Sequence, residues 1–192
     1  MSIQRRRERE RAERERLIVT AALKLAEAEG WDAVTTRRLA AGIEYSQPVL
    51  YSHFRGKDAI MAAVAVRGCA DLAVELRAAR SAVRGVRESL AAVAETYTSF
   101  ARRRAALYDA MFTHLVDLPF ATDGPPAPLR EAFGELLGVV EPVAAGGEEP
   151  VPLTETFWAA LHGLATLTRS GRLPEEAHDR RLGLLIDHFT RG

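Results

Sequence analysis

The stretch Thr35–Lys57, TTRRLAAGIEYSQPVLYSHFRGK, decides the fold. It reads as two short helices joined by a tight turn. The first runs from Thr36 to Ile43. Thr35 is its N-cap, because a threonine hydroxyl accepts from the free N–H groups of a first helical turn. Leu39, Ala40 and Ile43 give this helix one apolar face. Glu44 and Tyr45 make the turn, and Ser46 caps the second helix. Pro48 falls in the first turn of that helix, where a missing N–H costs little. Leu50 and Phe54 are one turn apart and point inward, and the helix ends near Phe54. Gln47, Val49, Tyr51, Ser52 and His53 are left for the outer faces. A short helix with polar, non-acidic outer residues suits a DNA major groove.

The string L-A-A-x-I-x-Y-S-Q-P-V-L-Y-S-H-F-x-G-K-D, within an ungapped stretch from about Arg16 to Val66, resembles the DNA-binding domain of TetR/AcrR-type transcriptional repressors. The resemblance implies a three-helix, helix-turn-helix domain at the N-terminus and a helical effector-binding and dimerisation domain behind it. It implies DNA contacts at Thr35, Thr36, Arg37, Ser46, Gln47, Pro48, Val49, Tyr51, His53 and Lys57. Thr35, Thr36 and Arg37 suit phosphates through backbone N–H groups and side chains. Gln47 suits a base edge and Val49 a thymine methyl. Tyr51, His53 and Lys57 match the family's phosphate contacts, with partial burial (Tyr51) and a helix cap (His53) as the competing roles. One departure concerns the turn. The family usually has glycine there, where a positive φ costs little, and this chain has Glu44.

The 192 residues can bury a sizeable core, and 47% hydrophobic with 27% charged residues is ordinary for a globular chain. The longest plain apolar run, Ala59 to Val66, is too short to span a bilayer. The N-terminus is a charge run with no apolar stretch behind it, unlike a secretory signal. Cys69 is the single cysteine, which excludes an intrachain disulfide or a cysteine-based zinc site. These features predict a cytoplasmic protein. The net charge is zero, but its distribution is not even. Residues 1–67 hold 13 Lys and Arg against 9 Asp and Glu, and residues 68–192 hold 13 against 17. The basic end carries the helix-turn-helix, as expected for a DNA-facing end. Twenty-four of the 26 basic residues are arginine, which with abundant Ala and Gly fits a high-GC bacterial genome.

The division predicted is a DNA-binding domain over 1–66, with an arm over 1–10, and a helical domain over 67–192. The whole is all-α, with about nine helices and no strand-like alternation. Met1 to Arg16 is nearly all Arg and Glu. On a helix it pairs Arg6 with Glu10, Arg9 with Glu13, Glu10 with Arg14 and Arg11 with Glu15, each worth about 0.2–0.5 kcal/mol. Its two readings are a solvated extension of helix one and an arm whose Arg5, Arg6 and Arg7 reach a minor groove. Leu17, Ile18, Ala21, Ala22, Leu25 and Ala28 form the apolar stripe of helix one, which Gly30 ends. Trp31 and Val34 are core. Helix four runs from Lys57 to about Arg80 and joins the two domains. Val83 to His114 is helical with a break at Arg102–Arg104. Leu118 to Pro128 is a loop, Leu129 to Ala144 a helix, and Ala145 to Pro152 a second loop. Leu153 to Arg172 is a helix capped near Thr154, and Glu175 to Arg191 is the last.

In the Leu153–Arg172 segment, F-W-A-A-L-H-G-L resembles the C-terminal domain of the TetR subgroup named for Trp-His-Gly, here Trp158, His162 and Gly163. The resemblance implies a small-molecule effector between the central helices. The candidates are Tyr97, Phe100, Tyr108, Met111, Phe112, Phe120, Trp158 and His162, for which plain core packing is the competing role. It also implies a homodimer through helices 153–172 and 175–191, with Ala160 and Gly163 small enough for close approach. A two-fold dimer requires a palindromic double-stranded operator. No histidine pair among His114, His162, His178 and His188 has metal-ligand spacing, and no cofactor or catalytic motif stands out. The expectation is a small-molecule-responsive repressor and not an enzyme. The alternative is an all-α ligand-binding or catalytic protein whose helix-turn-helix is only scaffold.

Overall fold

The computed structural model describes residues 3–113, 124–144 and 149–191. Among these residues there are nine α-helices and no strand: α1 (Ile3–Glu29), α2 (Thr36–Gly42), α3 (Gln47–His53), α4 (Lys57–Ser81), α5 (Val86–Arg103), α6 (Ala105–Phe112), α7 (Ala127–Val140), α8 (Pro150–Arg169) and α9 (His178–Thr190). Short 3-10 turns follow α1 (Trp31–Ala33) and α7 (Glu141–Val143) and precede α9 (Glu175–Ala177). No helix among the described residues is long and apolar enough to cross a membrane.

The chain divides into two compact units, with boundaries between Gly68 and Cys69, between Arg104 and Ala105 and between Gly124 and Pro125. The first holds α1, α2, α3, the N-terminal part of α4, and α6. Its core is Ile18, Ala22, Val34, Leu39, Leu50, Ile60, Val64 and Leu107, all buried. The assignment of α6 to this unit departs from the expected boundary near residue 67. The physical reason is specific packing. Trp31 Nε1 donates to the Ala106 carbonyl at 2.8 Å, and α6 lies on α1. Gly68 completes the fit: a Cβ there would stand 2.5 Å from Met111 Sδ and 3.0 Å from Leu107 Cδ1, so α4 and α6 touch where glycine leaves room.

The second unit holds the rest of α4 with α5, α7, α8 and α9. Leu90, Val93, Tyr97, Phe100, Val140, Phe157 and Leu161 are fully buried in it. The arginine run that breaks the helical pattern is used to tie elements together. Arg102 pairs with Glu95 and Glu175, Arg103 with Glu75, and Arg104 with Asp71 at 2.8 Å. Arg104 also lies over the Phe100 ring. Glu135 on α7 is buried and accepts from Arg77 at 2.7 Å and from Arg80 at 2.8 Å, both on α4. Cys69 is buried, and burial pushes its thiol up to about 12, so it is inert.

Helix ends differ from the sequence expectation mainly at prolines. α7 starts at Ala127 and α8 at Pro150, inside segments expected to be loops. Pro128, Pro150 and Pro152 fall in first turns, where a proline replaces an N–H that has no helical partner anyway. Thr154 is consequently inside α8 and not its cap; its hydroxyl donates to the Pro150 carbonyl at 2.7 Å. Residues 118–123 and 145–148 of the expected loops, with His114 and Phe120, lie outside the described residues. The charged N-terminus is helical from Ile3, with Arg6–Glu10, Arg9–Glu13 and Arg11–Glu15 paired. Glu10 also lies in the field of Arg14, and it titrates below its usual range chiefly through the Arg6 hydrogen bond.

Candidate nucleic-acid interface

Two helices of seven residues each build the interface, and local chemistry fixes both. Thr35 has extended backbone, and its hydroxyl accepts from Arg38 N at 3.2 Å, the expected cap of α2. The turn after α2 closes with Tyr45 N donating to the Ala40 carbonyl and Glu44 N to the Ala41 carbonyl. This is a Schellman closure with Glu44 at the left-handed position, φ 57°. Glu44 therefore occupies the backbone conformation that glycine usually supplies. Ser46 stands at the N-cap position of α3, but its hydroxyl makes no cap bond. Its carbonyl accepts from Leu50 N instead, and Leu50 is fully buried.

The outer surface of this pair is polar and open. Thr35, Arg37, Ser46, Gln47, Pro48, Val49 and Tyr51 are exposed, and Thr36 is half-buried. Tyr51 is 51% exposed and its Oη lies 3.4 Å from Thr36 Oγ1. The two hydroxyls thus form one polar point shared by α2 and α3. Ser52 is taken up by its own helix, donating to the Val49 carbonyl.

Two residues expected at this surface are placed differently. The His53 side chain is only 6% exposed and turns onto α1, with Nδ1 3.5 Å from Glu15 Oε1. That nitrogen has no hydrogen-bond partner among the described residues. Lys57, the first residue of α4, donates its ammonium to the Trp31 carbonyl at 2.5 Å. An ammonium has three N–H donors, so this bond orients the group and leaves capacity for an anion.

A fork that the sequence does not reveal braces the same unit. Arg38 Nη1 and Nη2 bond Glu29 at 2.8 and 2.6 Å, and Nη1 also reaches the Ala33 carbonyl. The hydrogen bond from Arg38 holds the Glu29 carboxyl below its usual range. The partners are nine residues apart across a turn, a separation that carries no helical signature.

The residues proposed from sequence to line an effector site are split. Tyr108, Met111 and Phe112 are on α6 in the first unit, where the rings of Tyr108 and Phe112 are 4.8 Å apart. Tyr97, Phe100, Trp158 and His162 are in the second. There the fully buried Tyr97 hydroxyl accepts from Trp158 Nε1 at 2.8 Å. Burial, helped by the charge of Arg169, pushes the His162 imidazole below its ordinary value. Among the described residues no cluster of His, Cys, Asp and Glu is suited to a metal ion.

This geometry coincides with similarity to known proteins. Residues 18–64 match the family described as bacterial regulatory proteins, tetR family, and residues 90–189 match the tetracyclin repressor-like C-terminal domain. The second match contains Trp158, His162 and Gly163. The HTH-type transcriptional regulator Rv0681 of Mycobacterium tuberculosis is 30% identical over 156 residues, covering 80% of this chain and 69% of that protein. A solved protein of unknown function from Rhodococcus sp. RHA1 has the same fold, with TM-score 0.75 and 24% identity over 93% of both chains. The regulator FadR of Bacillus subtilis, solved in complex with stearoyl-CoA, shares the fold with TM-score 0.66 and 14% identity over 88% of this chain and 96% of its own. With a tetR-type helix-turn-helix at one end and a repressor-like C-terminal domain over half its length, the chain belongs to the TetR family of DNA-binding transcriptional regulators.

Proposed function

We propose that this regulator is a repressor that binds a palindromic operator as a homodimer and releases it when a small molecule binds the second unit. One observation carries the DNA half of the reading: Gln47, Val49 and Tyr51 stand exposed on α3 while Leu50 anchors the helix from beneath. In this reading Gln47 and Val49 meet base edges, and the Thr36–Tyr51 hydroxyl pair, Thr35, Arg37 and Lys57 meet phosphates. Ser46 and Pro48 flank the reading head, and the arginines of α1 add phosphate attraction. His53 is a packing residue beneath the head.

Dimerisation through α8 and α9 is supported by apolar side chains left in the open. Val151, Leu167 and Leu184 are 48%, 40% and 60% exposed. Gly163 and Gly183 have nothing within 4 Å of the place a Cβ would take, so a partner helix can approach closely there. A two-fold dimer sets the half-sites one DNA turn apart or a multiple, about 34–36 Å per turn. The effector reading is supported by the stearoyl-CoA complex of the similarly folded FadR and by polar groups among apolar side chains in the second unit, the Trp158–Tyr97 hydrogen bond and His162. The effector must prefer the state that does not bind DNA, since equal affinity for both states shifts nothing. A DNA target places the protein in the cytoplasm.

The test is selection from random-sequence DNA followed by anisotropy titrations across a salt series. Enrichment of a palindrome, two chains bound per site and a steep salt slope are expected. Enrichment of no sequence overturns the operator reading, and a 1:1 complex on a non-palindromic site overturns the dimer.

A further inference from the structure

Within the first unit, two hydrogen bonds share one residue. Trp31 Nε1 donates to the Ala106 carbonyl on α6 at 2.8 Å. The Trp31 carbonyl accepts from Lys57 Nζ and, at 3.2 Å, from Val34 N. Trp31 is 6% exposed and sits in the 3-10 turn after α1, behind Gly30 at φ 82°. The indole is therefore pinned at one end by α6, and its backbone holds the first side chain of α4. α6 is itself keyed to α4 by the Met111–Gly68 packing. We propose that Trp31 is a positioning residue that ties α6 to Lys57, so that the position of α6 sets how well the Lys57 ammonium is presented to DNA. The proposal rests on the reading of Lys57 as a phosphate contact.

The physical basis is geometric. A lysine side chain has four rotatable bonds, and its ammonium reaches a phosphate efficiently only when something else fixes the chain. The Trp31 carbonyl supplies that fixed point, and it is rigid because two N–H donors share it and a buried indole anchors it. A shift of α6 that draws Ala106 away lets the indole turn, moves the carbonyl and frees the ammonium. The affinity change then arises with no alteration of the base-reading residues, so it lowers binding to all DNA sequences alike.

The experiment is a double-mutant cycle on the full chain, using a duplex that carries the site selected from random DNA. Trp31→Phe keeps the ring and removes the N–H. It weakens binding about fivefold, and Lys57→Ala weakens it about tenfold, the scale of one neutral and one charged hydrogen bond. The double variant binds as Lys57→Ala alone. Additive losses, or no loss from Trp31→Phe, overturn the proposal. A Lys57→Ala protein that binds as tightly as the wild type overturns the phosphate contact and the proposal with it, whereas a wild type that enriches no sequence overturns the operator reading itself. Far-UV circular dichroism reports whether Trp31→Phe folds, and a second measurement does not need that variant. In Trp158→Phe, Trp31 is the one remaining tryptophan of the two in the chain. Its indole 15N–1H resonance shifts on adding the duplex when Lys57 is present and stays in place in the added Lys57→Ala variant. A shift of equal size in both overturns the link.

Discussion

Tyr51 Oη and Thr36 Oγ1 meet 3.4 Å apart, joining the start of α2 to the exposed side of α3. Either hydroxyl can donate, so one of them always keeps a proton available for an outside acceptor. Tyr51 is half exposed, and losing its hydroxyl leaves no buried group unsatisfied. Tyr51→Phe is expected to weaken operator binding about three- to tenfold while moving the melting temperature by less than about 1 °C, as for a surface change that removes one contact. Equal operator affinity in the two proteins would remove Tyr51 from the interface.

Glu44 presents a cleaner case for stability. Its φ of 57° closes α2, and a side chain in that conformation costs about 1 kcal/mol or more relative to glycine. Part of the gain from Glu44→Gly is returned through the greater freedom of glycine in the unfolded chain. The net expectation is roughly 0.5–1 kcal/mol of added stability, or about 1–4 °C in Tm for a chain of this size. Calorimetry decides it, and a lower Tm would show that the Glu44 side chain makes a compensating contact.

How much of this was legible in sequence follows from how local each signal is. The helix-turn-helix was legible because the Thr35 cap, the turn and the inward Leu50 lie within 23 consecutive positions. Thr35, Leu39 and Leu50 behave as their neighbours require, and even the strain at Glu44 is announced by the missing glycine. His53 was not legible: its burial depends on Glu15, 38 positions earlier, approaching from α1. The same holds for the Arg38–Glu29 fork and the Lys57–Trp31 bond, which join residues across turns. The packing of α6 with α1 is not readable from sequence for a related reason. Its apolar pattern marks a helix but does not say which core receives it, and that depends on Gly68 and Trp31. Prolines misled in the other direction, because one that starts a helix and one that prevents a helix look alike in composition.

Glu135 predicts a pH dependence. Its burial pushes the carboxyl up, but the hydrogen bonds from Arg77 and Arg80 outweigh this, and the net direction is down from 4.5. A carboxyl depressed in the folded state contributes stability above its unfolded value, and that contribution is lost as pH falls through the lower folded value. Glu135→Gln should therefore cost about 1–2 kcal/mol near neutral pH, since a charged acceptor is replaced by a neutral one. The gap from wild type should narrow as pH drops below about 4.5, where the unfolded carboxyl takes up its proton. Urea unfolding at pH 7 and pH 3.5 measures both. A gap that does not change with pH would mean that the ion pairs contribute nothing beyond packing.

The last prediction concerns the second unit. Tyr97 is fully buried, and its hydroxyl accepts from the half-buried Trp158 indole at 2.8 Å. Tyr97→Phe removes that bond with little change in volume, so the cost should lie near 0.5–1.5 kcal/mol, about 1–6 °C in Tm. Two roles for the pair can then be separated. If it only braces α5 against α8, Tyr97→Phe lowers Tm and leaves the effector concentration for half-release of DNA unchanged once an effector is in hand. If the pair is a polar handle in the effector site, that concentration rises by about tenfold, because the bound molecule then faces an indole without its fixed partner. Titrating release in wild type and Tyr97→Phe at a temperature where both are fully folded distinguishes the two, and the second outcome is the one the repressor reading requires of at least one residue in this group.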